Sequence, residues 1–586
     1  MADGVELIAT EPRSFAKALF AGRLEEDLVF PFPHIHADEK PRVASLLDDF
    51  RAFAAESIDD EALDRDEAIP ETVMTGLRRL GFYGLYVSPE LGGLGLSTTA
   101  YCRVFEEISA VSASLAVHLG AHQSIGMKGI ALFGSDEQKR QYLPPLARGD
   151  HVASFALTEK GAGSDVAAIA TRATPTPAGD AYLLDGEKIW IGNAGIARVF
   201  TVFAKAPVEV GGVKKERLTA FIVPRDTPGV SVGPEFKKLG IRGASLAPIR
   251  FEGARVPREN VLGEVGLGFK QAMEILNNGR LSLAAGSVGG AKKLLALTTA
   301  HAARRVQFGK PLADFGLVKE KIGWLALHTW AVESMVYLTT GLVDEGIEDY
   351  SLESAMCKVA ASEFYWYAVN RAFQVRGGGA YIRPNPFERM LRDARINTIF
   401  EGSNDVLRAF IALAGMKPVA DSLTLVGDAL KEPIKQLGIL SDYFLDRLYK
   451  TFAPERLSHA HPSLEREAGF VEAGVKVLSL ACERILKRHG REIHQKQFAQ
   501  KRLAHAGMDL YAMVAAISRA TTSLDEHGTT AAGGRDRLMC RLFCERAHRR
   551  VQGTLRAMDD NDDEDLKAIA EETCASGGKI PELFEV

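Results

Sequence analysis

QVRGGGAYIRPNPFERMLRDARINTIFEGSND, residues 374–405, decides how the chain is read. An apolar helical run is broken at Gly377, Gly378 and Gly379, and a charged stretch then leads to Phe400-Glu401-Gly402. Glycine has no Cβ, so something can approach the backbone closely there. Glu401 stands between a large aromatic residue and a residue with no side chain. A carboxylate in an apolar pocket is disfavoured as an anion, so its pKa rises and it becomes a better base. A glutamate in an ordinary loop fits the same letters, so the segment has to be weighed with its surroundings.

Outward from this segment, helical periodicity runs back to about residue 266 through KQAMEILNNGRLSLAAG, GLVKEKIGWLALHTW and SLESAMCKVAASEFYW. Before it, short β-branched or alternating runs with Gly and Pro between them (AYLLDGEKIWIGN, RVFTVFAKAP, LTAFIVPRD) predict a β domain. Helical spacing returns from residue 42 to about 146, including a rather apolar, small-residue stretch expected to form two helices. Pro70 before Glu71 predicts a helix start. Residues 1–40 are expected to be irregular, with Pro31, Pro33 and Pro41 breaking any long helix. The fold class is therefore mainly α with a β domain. The expected domains are 1–152 (helical), 153–262 (β), 263–420 (helical bundle) and 421–586 (a further helical domain).

The 586 residues carry a net charge of −5, with 46% hydrophobic and 25% charged residues, an ordinary globular composition. No basic excess exists to neutralise phosphates along a nucleic acid, so nucleic acid is excluded as a main partner. The six cysteines are scattered over the length, which suits a reducing compartment. Cys540 and Cys544 sit four apart, and His459 and His461 two apart, without further ligands at zinc spacing, so no metal is expected. The N-terminus has no basic flank and apolar core of a secretory signal, and early acidic residues argue against a transit peptide. A cytoplasmic location is the expectation.

Four other segments carry possible chemistry. FALTEKGAGSD (residues 155–165) offers Thr158, Gly161, Gly163 and Ser164 as hydroxyls and accessible amides that can meet a flat ring or a pyrophosphate. An ordinary Gly/Ser turn fits equally, and the Rossmann glycine pattern is absent. KIWIGNAG (residues 188–195) can lay Trp190 against a planar cofactor or bury it as core. NNGR (residues 277–280), expected to open a helix, holds Arg280, which suits a phosphate, a carboxylate or a surface ion pair. In RRVQFG (residues 304–309), Arg305 and Phe308 can grip a pyrophosphate and an adenine, or simply end a helix.

Taken together, in this order and spacing, FALTEKGAGSD, WIGNAG, RRVQFGKPL, QVRGGGAYI and RDARINTIFEGSND resemble the acyl-CoA dehydrogenase family. VFPFPHI, LGAHQSIGMKGIALFG and MDLYAMVAAISRATTSL are similar to its very-long-chain branch, which carries an extra C-terminal helical domain. The resemblance covers nearly the whole chain. It implies FAD as cofactor, a fatty acyl-CoA substrate oxidised to the trans-2-enoyl-CoA, and electron-transfer flavoprotein as acceptor.

Residue by residue, Glu401 matches the base that takes the α-proton while the β-hydrogen leaves as hydride. Its backbone N–H matches a donor to the thioester carbonyl. Phe155, Leu157, Thr158, Gly163 and Ser164 match the flavin-side loop, with Ser164 also near CoA. Trp190, Ile191 and Gly192 match the strand flanking the flavin. Arg305, Phe308, Gln374, Gly377 and Gly378 match FAD-holding positions contributed partly by a neighbouring subunit, and Ser403, Asn404 and Asp405 match contacts just past the base. Asn277, Arg280, Phe400 and Gly402 match positions beside the substrate. Some relatives carry their base where Gly279 stands here, which leaves the role to Glu401.

The chain departs from the family at Gly192, where Thr or Ser is usual, and at Lys160, where Pro is usual. The resemblance also implies a homodimer and peripheral membrane contact, the latter through the partly amphipathic stretch 440–463. Small residues Ala113, Ala116, Gly120 and Ala121 suggest room for an acyl chain of about twelve carbons or more. An acyl-CoA oxidase and a flavoprotein assembly factor with little turnover are the competing readings.

Overall fold

The computed structural model describes residues 13–429 and 455–580. The chain forms two compact units, one of Met1–Ser14 with Leu28–Leu407, the other of Phe15–Asp27 with Arg408–Val586.

The first unit begins with helices. Pro41 sits in the first turn of the helix Lys40–Ser57, where its missing N–H costs no hydrogen bond, and Pro70 caps the helix Glu71–Arg79. The small-residue stretch is more broken than the expected pair of helices: Thr98–Val111, Ala113–Gly120, a π-helical turn Ala121–Gly126, then Lys128–Phe133. Two local causes stand out. Ser112 is extended and its side chain caps the next helix by accepting from Leu115 N. At Gly126 a Cβ would lie 2.6 Å from Ala121 O and 2.9 Å from the Ala153 backbone, so the turn presses directly on the first strand.

The β domain is an eight-stranded sheet of β1 (Ala153–Ala156), β2 (Arg172–Pro175), β3 (Ala181–Gly192), β4 (Val199–Val210), β5 (Val213–Pro224), β6 (Val230–Val232), β7 (Leu246–Pro257) and β8 (Val261–Leu262). The strand order is β6-β7-β3-β2-β4-β5-β8, with β1 pairing in parallel on β4. Gly211 and Gly212, both at positive φ, close the β4–β5 hairpin, as a tight turn between twisted strands requires. β4 is nearly continuously apolar because both faces are covered. Phe200 and Val202 join one core with Phe221 and Phe251, whereas Val199 and Phe203 join another with Met127, Ile130 and Ile275.

Three long helices follow, Gly268–Arg304, Gly316–Asp344 and Ser351–Arg376. Small residues let the first of them approach its neighbours closely: a Cβ on Gly289 would lie 2.0 Å from Glu106 O in the helix Thr98–Val111, and one on Gly290 2.7 Å from the Tyr365 ring in Ser351–Arg376. The NNGR segment lies well inside the first of these helices and does not open it. The helix begins at Gly268, where a Cβ would meet the Leu218–Thr219 backbone at 2.7 Å.

In the second unit, Phe15–Ala21 is a helix within the stretch expected to be irregular. Burial of Phe15, Leu19 and Phe20 sustains it, with Phe15 against Tyr511 at 6.2 Å between ring centroids and Phe20 against Gly415. The helices Glu465–His489, Gln497–His527 and Ala531–Arg556 form its body. Of the proposed membrane stretch, residues 440–454 lie outside the described residues. In its remainder, Glu455 accepts from Leu24 N, and Glu26 accepts from Ser458 and His459. No helix among the described residues is long and apolar enough to cross a membrane.

Candidate active site

Glu401 follows a 3-10 turn, Arg395–Thr398, and precedes the helix that begins at Asn404. Both Glu401 (φ 59°) and Gly402 (φ 92°) occupy the left-handed region, which is costly for a glutamate. Two buried cations hold this turn. Arg280 Nε donates to the Glu401 carbonyl at 3.3 Å, and Lys358 Nζ donates to the Gly402 carbonyl at 2.8 Å. Arg280 is itself oriented by Asn277 Oδ1 at 3.0 Å.

The side chain lies against the long helix. Its Oε2 is buried and has no hydrogen-bond partner. Desolvation pushes the carboxyl up to about 7 against the opposing pull of Arg280 and Lys358. A Cβ on Gly279 would stand 2.7 Å from Oε2 and 2.8 Å from Ile125 Cγ2, so the helix must be bare here to admit the carboxylate. Alanine ordinarily stabilises a helix interior by about 1 kcal/mol over glycine. Gly279→Ala is therefore expected to leave the fold and helix content intact yet lower kcat about tenfold or more by displacing the Glu401 carboxylate. Circular dichroism and steady-state kinetics on the same preparation check this.

The loop 155–165 and the end of β3 form a second wall. Phe155 packs on Phe203 at 5.0 Å, and Ile189 N donates to Thr158 O at 2.9 Å. A register shift between Lys188 and Ile191 places Trp190 at φ 57° and leaves it 54% exposed, while Ile191 stays buried. The loop is fastened by fully buried Lys188, which donates to Leu157 O at 3.0 Å and to Glu159 Oε1 at 2.8 Å. Glu159 also accepts from Ala170 N and from Thr171 N and Oγ1. Lys188→Met would leave this buried carboxylate without its cation. A loss of about 3 kcal/mol is expected, read as a lower denaturation midpoint together with weaker flavin retention.

Gly163 and Ser164 are exposed, and a Cβ on Gly161 or Gly163 would meet nothing within 4 Å. Where the family usually has Thr or Ser, the Gly192 carbonyl accepts from Ser154 Oγ at 2.6 Å. Ile125 joins the two walls: it packs with the cluster containing Phe155 and Leu157 and also abuts Gly279. Gly120 does not open space for an acyl chain, because a Cβ there would meet the Phe105 ring at 3.1 Å.

A further group gathers where the long helices end. Arg305 and Phe308 sit in the hairpin of β9 (Val306–Gln307) and β10 (Lys310–Pro311), with Phe308 94% exposed at φ 51°. Gln374, Gly377 and Gly378 are exposed at the end of Ser351–Arg376, and Arg376 reaches His301 at 3.5 Å. Phe400, Gly402 and Ser403 are half-buried beside Glu401, and Asp405 is exposed. Asn404 is buried, with its Oδ1 accepting from Lys358 at 2.7 Å.

Lys358, Ile125, Glu159 and Lys188 escaped the sequence reading. Lys358 was the most findable: it shares a helix face with Ser354, Ala361, Ser362 and Tyr365, all buried, and a cation on such a face needs a reason.

Family comparison matches the chain to the descriptions "Acyl-CoA dehydrogenase, N-terminal domain" over residues 41–150, "middle domain" over 154–254 and "C-terminal domain" over 266–416. "ACAD9/ACADV, C-terminal domain" matches residues 462–579. The very long-chain specific acyl-CoA dehydrogenase of Bos taurus, mitochondrial, is 40% identical, covering 97% of this chain and 88% of that one. Its counterpart from Homo sapiens is 41% identical, covering 94% and 84%. Among solved structures, an acyl-CoA dehydrogenase from Bacillus anthracis complexed with FAD superposes with TM-score 0.79 at 30% identity, over 97% of this chain and 96% of that one. Butyryl-CoA dehydrogenase from Megasphaera elsdenii gives 0.61 at 31% identity, over 65% of this chain and 99% of that one.

Proposed function

The chain belongs to the acyl-CoA dehydrogenase family, and we propose on that premise that it oxidises long-chain fatty acyl-CoA at the α,β-carbons with Glu401 as base. The observation that carries this is the buried, unpartnered Oε2 of Glu401 packed on the bare helix at Gly279.

The residues fit FAD. Gly161, Gly163, Gly377 and Gly378 leave open space where a side chain would stand, and Trp190 and Phe308 present exposed aromatic faces. The 155–165 loop, residues 190–192 and residues 403–405 are assigned to hold it, with Arg305, Phe308, Gln374, Gly377 and Gly378 facing a second copy of the chain in a homodimer. Bound FAD supplies the acceptor for the β-hydrogen and its electron pair.

Glu401 Oε2 takes the α-proton, and the resulting carboxylic acid is neutral in a site that disfavours charge. The α C–H and β C–H bonds break as the carbon–carbon double bond forms. The Glu401 N–H is assigned to donate to the thioester carbonyl, and Arg280 holds the following peptide unit through the Glu401 carbonyl. Asn277 holds Arg280 in place.

Long acyl chains are assigned from the names of the full-length relatives, and electron-transfer flavoprotein from the family's usual acceptor. Turnover of palmitoyl-CoA with electron-transfer flavoprotein, giving trans-2-hexadecenoyl-CoA by mass spectrometry, tests the proposal. A much higher kcat/KM for palmitoyl-CoA than for butyryl-CoA is expected. Rapid peroxide formation in place of flavoprotein reduction would indicate an oxidase.

A further inference from the structure

Lys358 is fully buried, although it is a flexible cation whose removal from water is costly. A methionine of similar length would fill the same space without that cost. At the site Lys358 donates to Gly402 O at 2.8 Å and to Asn404 Oδ1 at 2.7 Å. Asn404 is tied in turn to the same helix, its Nδ2 donating to Ser362 Oγ at 3.0 Å and to Glu363 Oε1 at 3.3 Å. The peptide unit after Gly402 is thus pinned, with the Asn404 side chain, to the helix Ser351–Arg376, while the unit before it is pinned through the Glu401 carbonyl to Gly268–Arg304 by Arg280. Two successive left-handed residues persist only where their surroundings over-determine them, and these carbonyl contacts provide that.

We propose that Lys358 is a positioning residue for the base: by capturing the Gly402 carbonyl and Asn404 it fixes the left-handed turn that aims Glu401, and its charge offsets part of the cost of the Glu401 carboxylate. The charged groups acting on Glu401 are Arg280 from one helix and Lys358 from the other, with Glu363 set behind Asn404. Lys358 touches neither substrate nor cofactor in this assignment and acts through the turn and its field. The inference rests on Glu401 being the base.

The experiment compares flavin-loaded wild type, Lys358→Met, Lys358→Arg and Glu401→Gln with palmitoyl-CoA across pH 5–9. Lys358→Met is expected to lower kcat at least tenfold with KM little changed. It should also move the rising limb of the kcat/KM profile upward by about one pH unit. Lys358→Arg keeps the charge, so its limb should stay near the wild-type position even where kcat falls. Should Lys358→Met not retain flavin, Asn404→Asp carries the test: it sets a carboxylate on Lys358, neutralises its field and should also move the limb upward. A wild-type profile and kcat in a folded Lys358→Met, or an unmoved limb in Asn404→Asp, overturns the proposal. Glu401→Gln separates the two readings. If it still turns over, the base assignment fails; if it is inactive while the Lys358 variants behave as wild type, only the positioning role fails.

Discussion

Glu401→Gln is expected to lower kcat for palmitoyl-CoA by about 10²- to 10⁴-fold, the range over which a positioned general base contributes. Glutamine has nearly the size and planarity of the carboxylate, so it fits against Gly279 and Ile125 with little change of shape, and the turn held by Arg280 and Lys358 keeps its anchors. Flavin content and substrate affinity should stay close to wild type, which confines the defect to the chemical step. A larger rise in KM than fall in kcat would place Glu401 in binding and not in proton abstraction.

The second large effect is in pH. With the carboxyl pushed from 4.5 up to about 7, the base of the free enzyme is mostly protonated below neutrality. The value of kcat/KM should rise through about pH 7 and level off above it, standing roughly 100-fold below its plateau at pH 5. Stability runs the other way. The folded chain binds the Glu401 proton more tightly than the unfolded chain, so this contribution is complete below about pH 4.5 and is lost as pH rises through about 7. Above that, the buried carboxylate costs the fold about 3 kcal/mol. Glu401→Gln never carries this charge. Its Tm, measured against wild type, should therefore move upward between pH 5 and pH 8 even as its activity is lost. A difference in Tm that is flat with pH would mean the carboxylate is solvated.

The order of helical, β and helical segments was legible in the sequence because each class leaves a local period, whereas Phe400-Glu401-Gly402 alone fits an ordinary loop and Glu401 became the candidate base only through the resemblance of the five segments together. The catalytic turn's supports were not. Gly279 and Glu401 are far apart in sequence, and only the packing of Gly268–Arg304 onto the turn shows that one makes room for the other. NNGR was expected to open a helix, and Asn and Gly are indeed poor residues for a helix interior. Packing on both sides overrides that propensity and carries the helix straight through. The helix Phe15–Ala21 was missed for a similar reason: prolines further along the stretch dominate its local pattern, while burial of Phe15, Leu19 and Phe20 decides its conformation. Trp190 could be read as core or as cofactor face from its letters alone. The register shift in β3, invisible in the sequence, leaves it half exposed.

The most direct measurement is the anaerobic visible spectrum of the purified protein titrated with palmitoyl-CoA, wild type beside Glu401→Gln. Wild type should carry an oxidised-flavin band near roughly 450 nm that bleaches on addition of substrate, and Glu401→Gln should carry the same band and keep it. A protein that binds no flavin, or a Glu401→Gln variant that bleaches as fast as wild type, would contradict the assignment of Glu401 as the base of a flavin-dependent acyl-CoA dehydrogenase.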